Sequence, residues 1–352
     1  MTIADSTQSL RRQSLRQASI PRAGVAVLIA GSIGLAFVLF AVTPLQGDAD
    51  FVVVAALLSV VILVAASWTV EGRRRAIDRF ATSATMLALI LTLLPLGFVL
   101  GYVIKRGAKD FNINFLTHSL AGIGPLDAGG GVYHAIIGTF EQVLIASFIS
   151  VPLGLMVAIF ITEYSRSSLA TAVRFLVDVM TGIPSIVAGL FVLSFWILAL
   201  NQPYTGFAAA MALAILELPI IVRTSEEMIR LVPAALREAA YALGVPKWKT
   251  ILRVVLPTAT TGITTGVMLA MARVIGETAP VFLVAGNNFF INNDPLHGQQ
   301  ASLATFIFIN ARASSDLQVD RAWAAALTLI LIVAVLYVSA RLLTRRNALA
   351  RR

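Results

Sequence analysis

At 352 residues, 58% of them hydrophobic and 13% charged, with a mean hydropathy of +0.86, the chain is too apolar for a soluble domain and reads as a polytopic membrane protein. Its net charge of +9 would suggest nucleic acid in a soluble chain, but the basic residues lie in short segments beside apolar runs, where they act as topology signals. The absence of Cys excludes disulfides and thiolate chemistry, and His118, His134 and His297 form no HExxH motif, so no catalytic or metal-ligating residue is assigned.

Residues 1–23, with Arg11, Arg12, Arg16 and Arg22, read as an uncleaved cytoplasmic arm. Apolar runs predict spans over 24–43 and 51–70, joined by a turn at 44–50. A basic segment with Arg73, Arg74, Arg75 and Arg79 leads to a third span over 80–104. That span contains Pro95 and a Gly97-xxx-Gly101 pair, which predicts a face for a neighbouring helix. Residues 105–134 predict a loop, and its Gly129-Gly130-Gly131 run reads as a turn, since it lacks the strand and the Lys-Ser/Thr of a phosphate loop.

A fourth span over 135–161 holds Glu141 and Pro152. The fifth, over 172–200, carries Asp178 and then Pro184, which removes a helix hydrogen bond and predicts a bend or break. The sixth, over 207–222, holds Glu217 and Pro219 and continues as a helix in which Arg223 and Glu227 are spaced for an i,i+4 pair. Next comes LVPAALREAAYALGVPKWKTILRVVLP, residues 231–257. Pro233 in a first turn, five alanines, Gly244 at a left-handed cap and Pro246 as a stop predict a short helix, and a second helical run follows.

The seventh span, over 258–284, opens with five threonines, includes Gly262-xxx-Gly266 and ends in Arg273-Val-Ile-Gly-Glu277-Thr278-Ala-Pro280. An Arg inside a span costs about 2.5–3.5 kcal/mol to insert and is kept out of lipid. Two readings stand: a neutralising Arg273–Glu277 pair, or a working pair that serves an anion path. Glu141, Asp178 and Glu217 are further path candidates, or else polar groups of packing and helix ends. A polar stretch at 285–320, an eighth span over 321–343 and a basic tail complete the chain. Lys and Arg concentrate at 11–22, 73–79, 223–253 and 341–352, which places both termini in the cytoplasm and requires an even number of spans.

The spacing from Glu238-Ala239-Ala240 through Gly244 to Leu256-Pro257 resembles the EAA loop of ABC importer membrane subunits. Together with Gly182-Ile-Pro-Ser-Ile-Val-Ala-Gly189, Leu218-Pro-Ile-Ile-Val-Arg-Thr-Ser-Glu226 and Arg273 to Pro280, it looks like the PstA-type permease of bacterial phosphate importers, from about residue 76 onward. The resemblance implies an all-α fold of about eight transmembrane helices. A six-helix, MetI-like permease core would occupy 76–352, preceded by two extra helices within 1–75. It implies a multi-pass protein of the bacterial plasma (inner) membrane that imports inorganic phosphate with a PstC-like permease, a PstB-like ATPase dimer and a PstS-like binding protein. ATP and Mg would sit on the ATPase, since this chain has no G-x-x-x-x-G-K-S/T motif and would be a transporter subunit rather than an enzyme. Arg237, Glu238, Ala239, Ala240, Gly244 and Pro246 would form the coupling surface. Arg273, Glu277, Thr278, Glu217, Asp178 and Glu141 would line the substrate path. A permease for sulfate or molybdate, or a gated anion channel, are the alternatives.

Overall fold

The computed structural model describes residues 19–43, 47–164 and 167–349, so the predicted arm up to residue 18 lies outside it. Among the described residues the regular structure is all helical, and the chain divides into two compact units after Tyr102.

The first unit holds α1 (Arg22–Val42), α2 (Asp48–Val70) and most of α3 (Arg73–Gly107). Large apolar side chains point outward from all three, as at Val27, Phe37, Val61 and Leu93, which suits helices solvated by lipid rather than water. Phe40 and Phe51 meet edge to face across α1 and α2, with ring centroids 5.3 Å apart. The ends of the helices are tied by Glu71. Its carboxylate accepts from Arg79 Nε and Nη2 at 2.5 and 2.9 Å, from Ser67 Oγ at 2.6 Å and from the Ile20 backbone N–H at 2.8 Å. The Arg79 guanidinium, with the Ser67 hydroxyl, lowers the Glu71 carboxyl to about 2. Pro95 lies within α3 without ending it. Gly97 and Gly101 have open space where a Cβ would stand, so the face read from that pair has no neighbour in the described chain.

The second unit contains α4 (Ile113–Thr117), α5 (Tyr133–Glu163), α6 (Ser168–Thr181) and α7 (Ser185–Ala199). It continues with α8 (Gly206–Arg230), α9 (Ala234–Ala242), α10 (Lys247–Ile275), α11 (Ala279–Val284), α12 (Leu303–Asn310) and α13 (Asp316–Leu349). Seven described helices are long and apolar enough to cross a membrane, and they number eight, as expected, if the bent pair α6–α7 is counted as one span. That bend is 104° and falls at Pro184, the residue that cannot donate a backbone bond.

The span predicted over 258–284 is drawn differently. One helix, α10, starts at Lys247 inside the basic segment and stops at Ile275, and α11 begins after a break at Gly276–Thr278. Pro280 explains the stop, because a continued helix would set its ring against the Gly276 carbonyl and leave that carbonyl without a donor.

α8 is the axis of the second unit. Ala208, Ala209, Ala210 and Ala212 are buried along its first half, and side chains this small admit the backbones of α5 and α7. Val143 and Ala146 of α5, Val192 of α7, Leu213 of α8, Val274 of α10 and Val281 of α11 form one apolar cluster. A second cluster, at the other end of α8, joins Ile161, Val177, Val222, Ile229 and Val255.

Candidate functional site

The two motifs at 182–189 and 273–280 meet in space. A Cβ on Gly189 would stand 2.6 Å from Pro280 Cα and 3.1 Å from Leu283 Cδ1, so only glycine lets α7 lie against α11 there. On the far side of the break, Arg273 occupies the last turn of α10, where a cation is favoured by the helix dipole. Its side chain is exposed, Glu277 and Thr278 are half-buried, and among the described residues no ion pair joins Arg273 to Glu277. The neutralising pair is therefore not formed in this conformation.

The other path candidates are spread along α5, α6 and α8. Glu217 is fully buried in α8 and accepts from Ser147 Oγ and Ser150 Oγ of α5, each at 2.8 Å, one serine to each oxygen. About 10 Å back along α5, Glu141 accepts from Gln300 Nε2. Gln300 also donates to the Asn292 carbonyl at 3.0 Å and accepts from Gln142 Nε2 at 3.2 Å, which binds the 285–302 segment to α5. Asp178, exposed on α6, pairs with Arg223 of α8. Thus Arg273, Glu277 and Thr278 lie together, while Glu217, Glu141 and Asp178 each tie a different pair of elements.

Sequence reasoning missed the carboxylate that three arginines share. Glu226 is 2% exposed and accepts from Arg174 Nε at 3.2 Å, Arg223 Nη1 at 2.7 Å and Arg230 Nη2 at 2.5 Å. Arg174 also donates to the Ile161 carbonyl at 2.8 Å, which fastens α6 to the ends of α5 and α8. The predicted Arg223–Glu227 pair gives way to this arrangement. Glu226 at i+3 lies on the face turned toward α6 and Asp178, whereas Glu227 is exposed to solvent.

The segment expected to form the coupling surface is anchored from within. Arg237 does not face outward: its Nε and Nη2 both donate to Glu163 Oε1 at 3.1 Å, and it also bonds the Val232 and Ile229 carbonyls at 2.6 and 2.9 Å. Lys247 donates to the Glu163 carbonyl and lies 4.2 Å from the centre of the Tyr164 ring. Ala240 is buried under α9, while Glu238, Ala239, Gly244 and Pro246 are exposed. Leu231, Leu236, Tyr241, Leu243 and Trp248 add an exposed apolar surface. Gly244 has φ +75°, the left-handed state expected from its place, and Pro246 caps the start of α10.

A family model described as "Binding-protein-dependent transport system inner membrane component" matches residues 150–349. The "Phosphate transport system permease protein PstA 1" of Mycobacterium tuberculosis is 46% identical over 282 residues, covering 79% of this chain and 92% of that protein. The "Phosphate transport system permease protein PstA" of Yersinia pestis is 38% identical over 274 residues, covering 78% and 92%. A solved bacterial alginate ABC transporter, in complex with an alginate pentasaccharide-bound periplasmic protein, aligns with TM-score 0.59 at 17% identity over 78% of this chain and 96% of that one, a likeness of fold alone.

Proposed function

The chain belongs to the PstA family of phosphate transport system permease proteins, and from that premise we propose that it is one half of the membrane path of a phosphate importer driven by a separate ATPase. A PstC-like permease supplies the other half. A PstB-like dimer, holding ATP and Mg, docks on α9, and a PstS-like protein delivers phosphate from outside. Residues 76–352 act as the six-helix core, residues 1–75 are an addition to it, and both termini face the cytoplasm of the bacterial inner membrane.

The observation that carries the reading is the continuity of α10. It is a single helix of 29 residues, about 43 Å long, that begins just beyond Gly244 and ends just beyond Arg273. With Arg237 and Lys247 fastening the coupling segment to α5, a push on α9 reaches the arginine through one rigid rod. An unneutralised Arg facing lipid would cost about 2.5–3.5 kcal/mol, so Arg273 is assigned to a wet path, with Glu277 and Thr278 in the broken backbone beside it. Glu217, Asp178 and Glu141 hold the surrounding helices at the borders of that path.

The test is phosphate uptake in cells lacking their own high-affinity importer, with this chain supplied alongside its three partners. Uptake should require an active ATPase and resist competition by sulfate and molybdate. Uptake that survives loss of ATP hydrolysis would make the protein a channel, and competition by sulfate would change the substrate. Orientation is read separately: in this cysteine-free chain, Leu243→Cys, 84% exposed, should resist an impermeant thiol reagent applied outside, and Ser314→Cys should react.

A further inference from the structure

The stretch between α11 and α12 is built unlike its surroundings. None of residues 286–299 is buried, whereas Val284 and Ala285 before it and Gln300 to Phe306 after it all are. The Gln300 N–H donates to the Ala285 carbonyl at 3.1 Å and closes the neck of the loop. Gly286 and Gly298, at φ +71° and +76°, stand just inside that neck in a backbone state that larger residues rarely adopt. Within the loop, Asn288 and Asn292 donate to the Gln299 carbonyl, and Asn292 also to that of His297, so the loop holds its own shape. A segment with no buried side chain, its own bond set and a closed neck can open locally as a unit while its anchors stay in place.

The loop nevertheless covers polar groups. The Phe289 ring stands edge to face with the His134 imidazole, centroids 6.4 Å apart, the Asn292 carbonyl accepts from Gln300 Nε2 at 3.0 Å, and the Pro295 carbonyl accepts from the Phe207 N–H at 2.7 Å. These contacts hold it against the start of α5 and the start of α8. On α5, His134 and Glu141 stand two turns apart on one face, with Gln142 beside them, and His134 and Gln142 are 2% and 1% exposed. Four buried side-chain atoms lack a hydrogen-bond partner among the described residues, and three of them are His134 Nδ1, His134 Nε2 and Gln142 Oε1. Unmet buried donors and acceptors are a cost that the closed arrangement carries and that water would remove on opening. A loop that only packed would be better served by apolar residues at 134 and 142.

We propose that residues 286–299 are a lid on the outer end of α5, which lifts in each transport cycle to let phosphate reach the polar face at His134, Glu141 and Gln142 and then closes behind it. The inference rests on the transport reading and on the orientation given above. Closed, the lid keeps His134 and Gln142 from solvent. Lifted, it turns about Gly286 and Gly298 and exchanges its holds on Phe207 and Gln300 for water. Gln300 stays behind as part of the anchor, still bonded to Glu141 and Gln142.

The test uses the assembled importer, in which this cysteine-free chain carries Gly206→Cys and Pro295→Cys. A Cβ on Gly206 would stand 3.4 Å from the Pro295 Cα, within reach of a disulfide, and would otherwise meet the movable end of the Gln300 side chain. Oxidation should pin the lid and lower phosphate uptake at least about tenfold, and reductant should restore it. Equal uptake by the oxidised, cross-linked importer and the reduced one overturns the proposal, whereas a wild-type importer without uptake would refute the transport reading itself. A second measurement does not depend on cross-linking. His134→Cys should react slowly at rest with an impermeant methanethiosulfonate added outside, and at least about tenfold faster once ATP and the phosphate-loaded binding protein are supplied. Gln142→Cys takes its place if His134→Cys loses uptake. Equal rates in the two conditions overturn the lid, and this measurement decides alone if the disulfide does not form or the reduced double variant is inactive.

Discussion

α3 and α8 are both apolar enough to cross a membrane, yet 61% of the most apolar stretch of α8 is buried within the chain against 6% of that of α3. Apolarity marks a span but does not say what will surround it. The difference lies in side-chain size and in polar partners. α8 presents Ala208, Ala209, Ala210 and Ala212 to its neighbours and places Glu217 and Glu226 where serines and arginines meet them. α3 presents large aliphatic side chains to the outside, at Leu89, Leu93, Leu96 and Val99, and has polar ties near its ends, through Arg79 at one and through Arg106 to Asp320 at the other. A helix of the first kind is positioned by the chain itself. One of the second kind is positioned by lipid and by whatever else the membrane supplies.

Arg273 makes no ion pair with its neighbour Glu277, and removing it should have the largest effect. Arg273→Gln should reduce phosphate uptake to background with no fall in protein level, because an uncharged amide inserts more easily. Arg273→Gln/Glu277→Gln should likewise be present at near wild-type level and inactive. Restored uptake in the double variant would make the two charges structural, and the proposed path through Arg273 would be falsified.

Glu226→Ala removes a shared acceptor from three guanidinium groups at once, leaving Arg223 its Asp178 and Arg174 the Ile161 carbonyl. Since those groups keep 28–56% exposure, the cost is discounted from that of a buried ion pair to about 2–3 kcal/mol, and should appear as a clear drop in Tm of the detergent-solubilised protein. Replacing an outward side chain of the first unit, as in Phe37→Ala, should stay within about 0.5 kcal/mol. Equal losses at the two positions would erase the contrast between the units.

Gly244→Val tests the coupling segment, where a Cβ would meet nothing within 4 Å and the cost lies wholly in φ +75°. A β-branched residue in the left-handed region costs about 1–2 kcal/mol, whereas Asn tolerates it, so uptake should fall severalfold in Gly244→Val and be largely kept in Gly244→Asn. Loss in both would point to crowding against the ATPase rather than to backbone conformation.

The last prediction concerns the pH dependence of Glu71. Its folded value near 2 lies below the ordinary 4.5, so its stabilising contribution is complete above about pH 4.5 and is lost as pH falls from there through 2. The gap in Tm between wild type and Glu71→Gln should be the same at pH 7 and 5.5 and should shrink below 4.5. A gap that widens on acidification would contradict a stabilising role for the ionised Glu71 carboxylate.

Much of this molecule is visible in its sequence, and what is hidden has a common cause. Runs of apolar residues, Pro184 and Gly244 act locally, so the spans, the broken fifth span and the left-handed cap are legible from neighbours along the chain. The ties across the chain are not. Arg174 reaches Glu226 over 52 residues and Arg237 reaches Glu163 over 74, and no helical periodicity announces either contact. Local rules even misdirect, offering Glu227 to Arg223 when the partners are Glu226 and Asp178. The extent of the seventh span is obscured because apolar residues continue beyond the break, and Pro280 acts through the carbonyl four residues before it, a turn away from where the helix stops.

The π-helical turn at Ile251–Val255 has a consequence for α10 as a whole. The Leu256 N–H bonds back to the Ile251 carbonyl, so this turn holds one residue more than an α turn, and everything beyond it is rotated by about 100° relative to an uninterrupted helix. The angular phase between the coupling segment and Arg273 is thus set by a single wide turn near the foot of the rod. Loss of one residue within that turn would be absorbed as it tightens to an α turn, leaving the azimuth of Arg273 unchanged. Loss of one residue elsewhere in α10 would swing the arginine more than a quarter of the way around the helix.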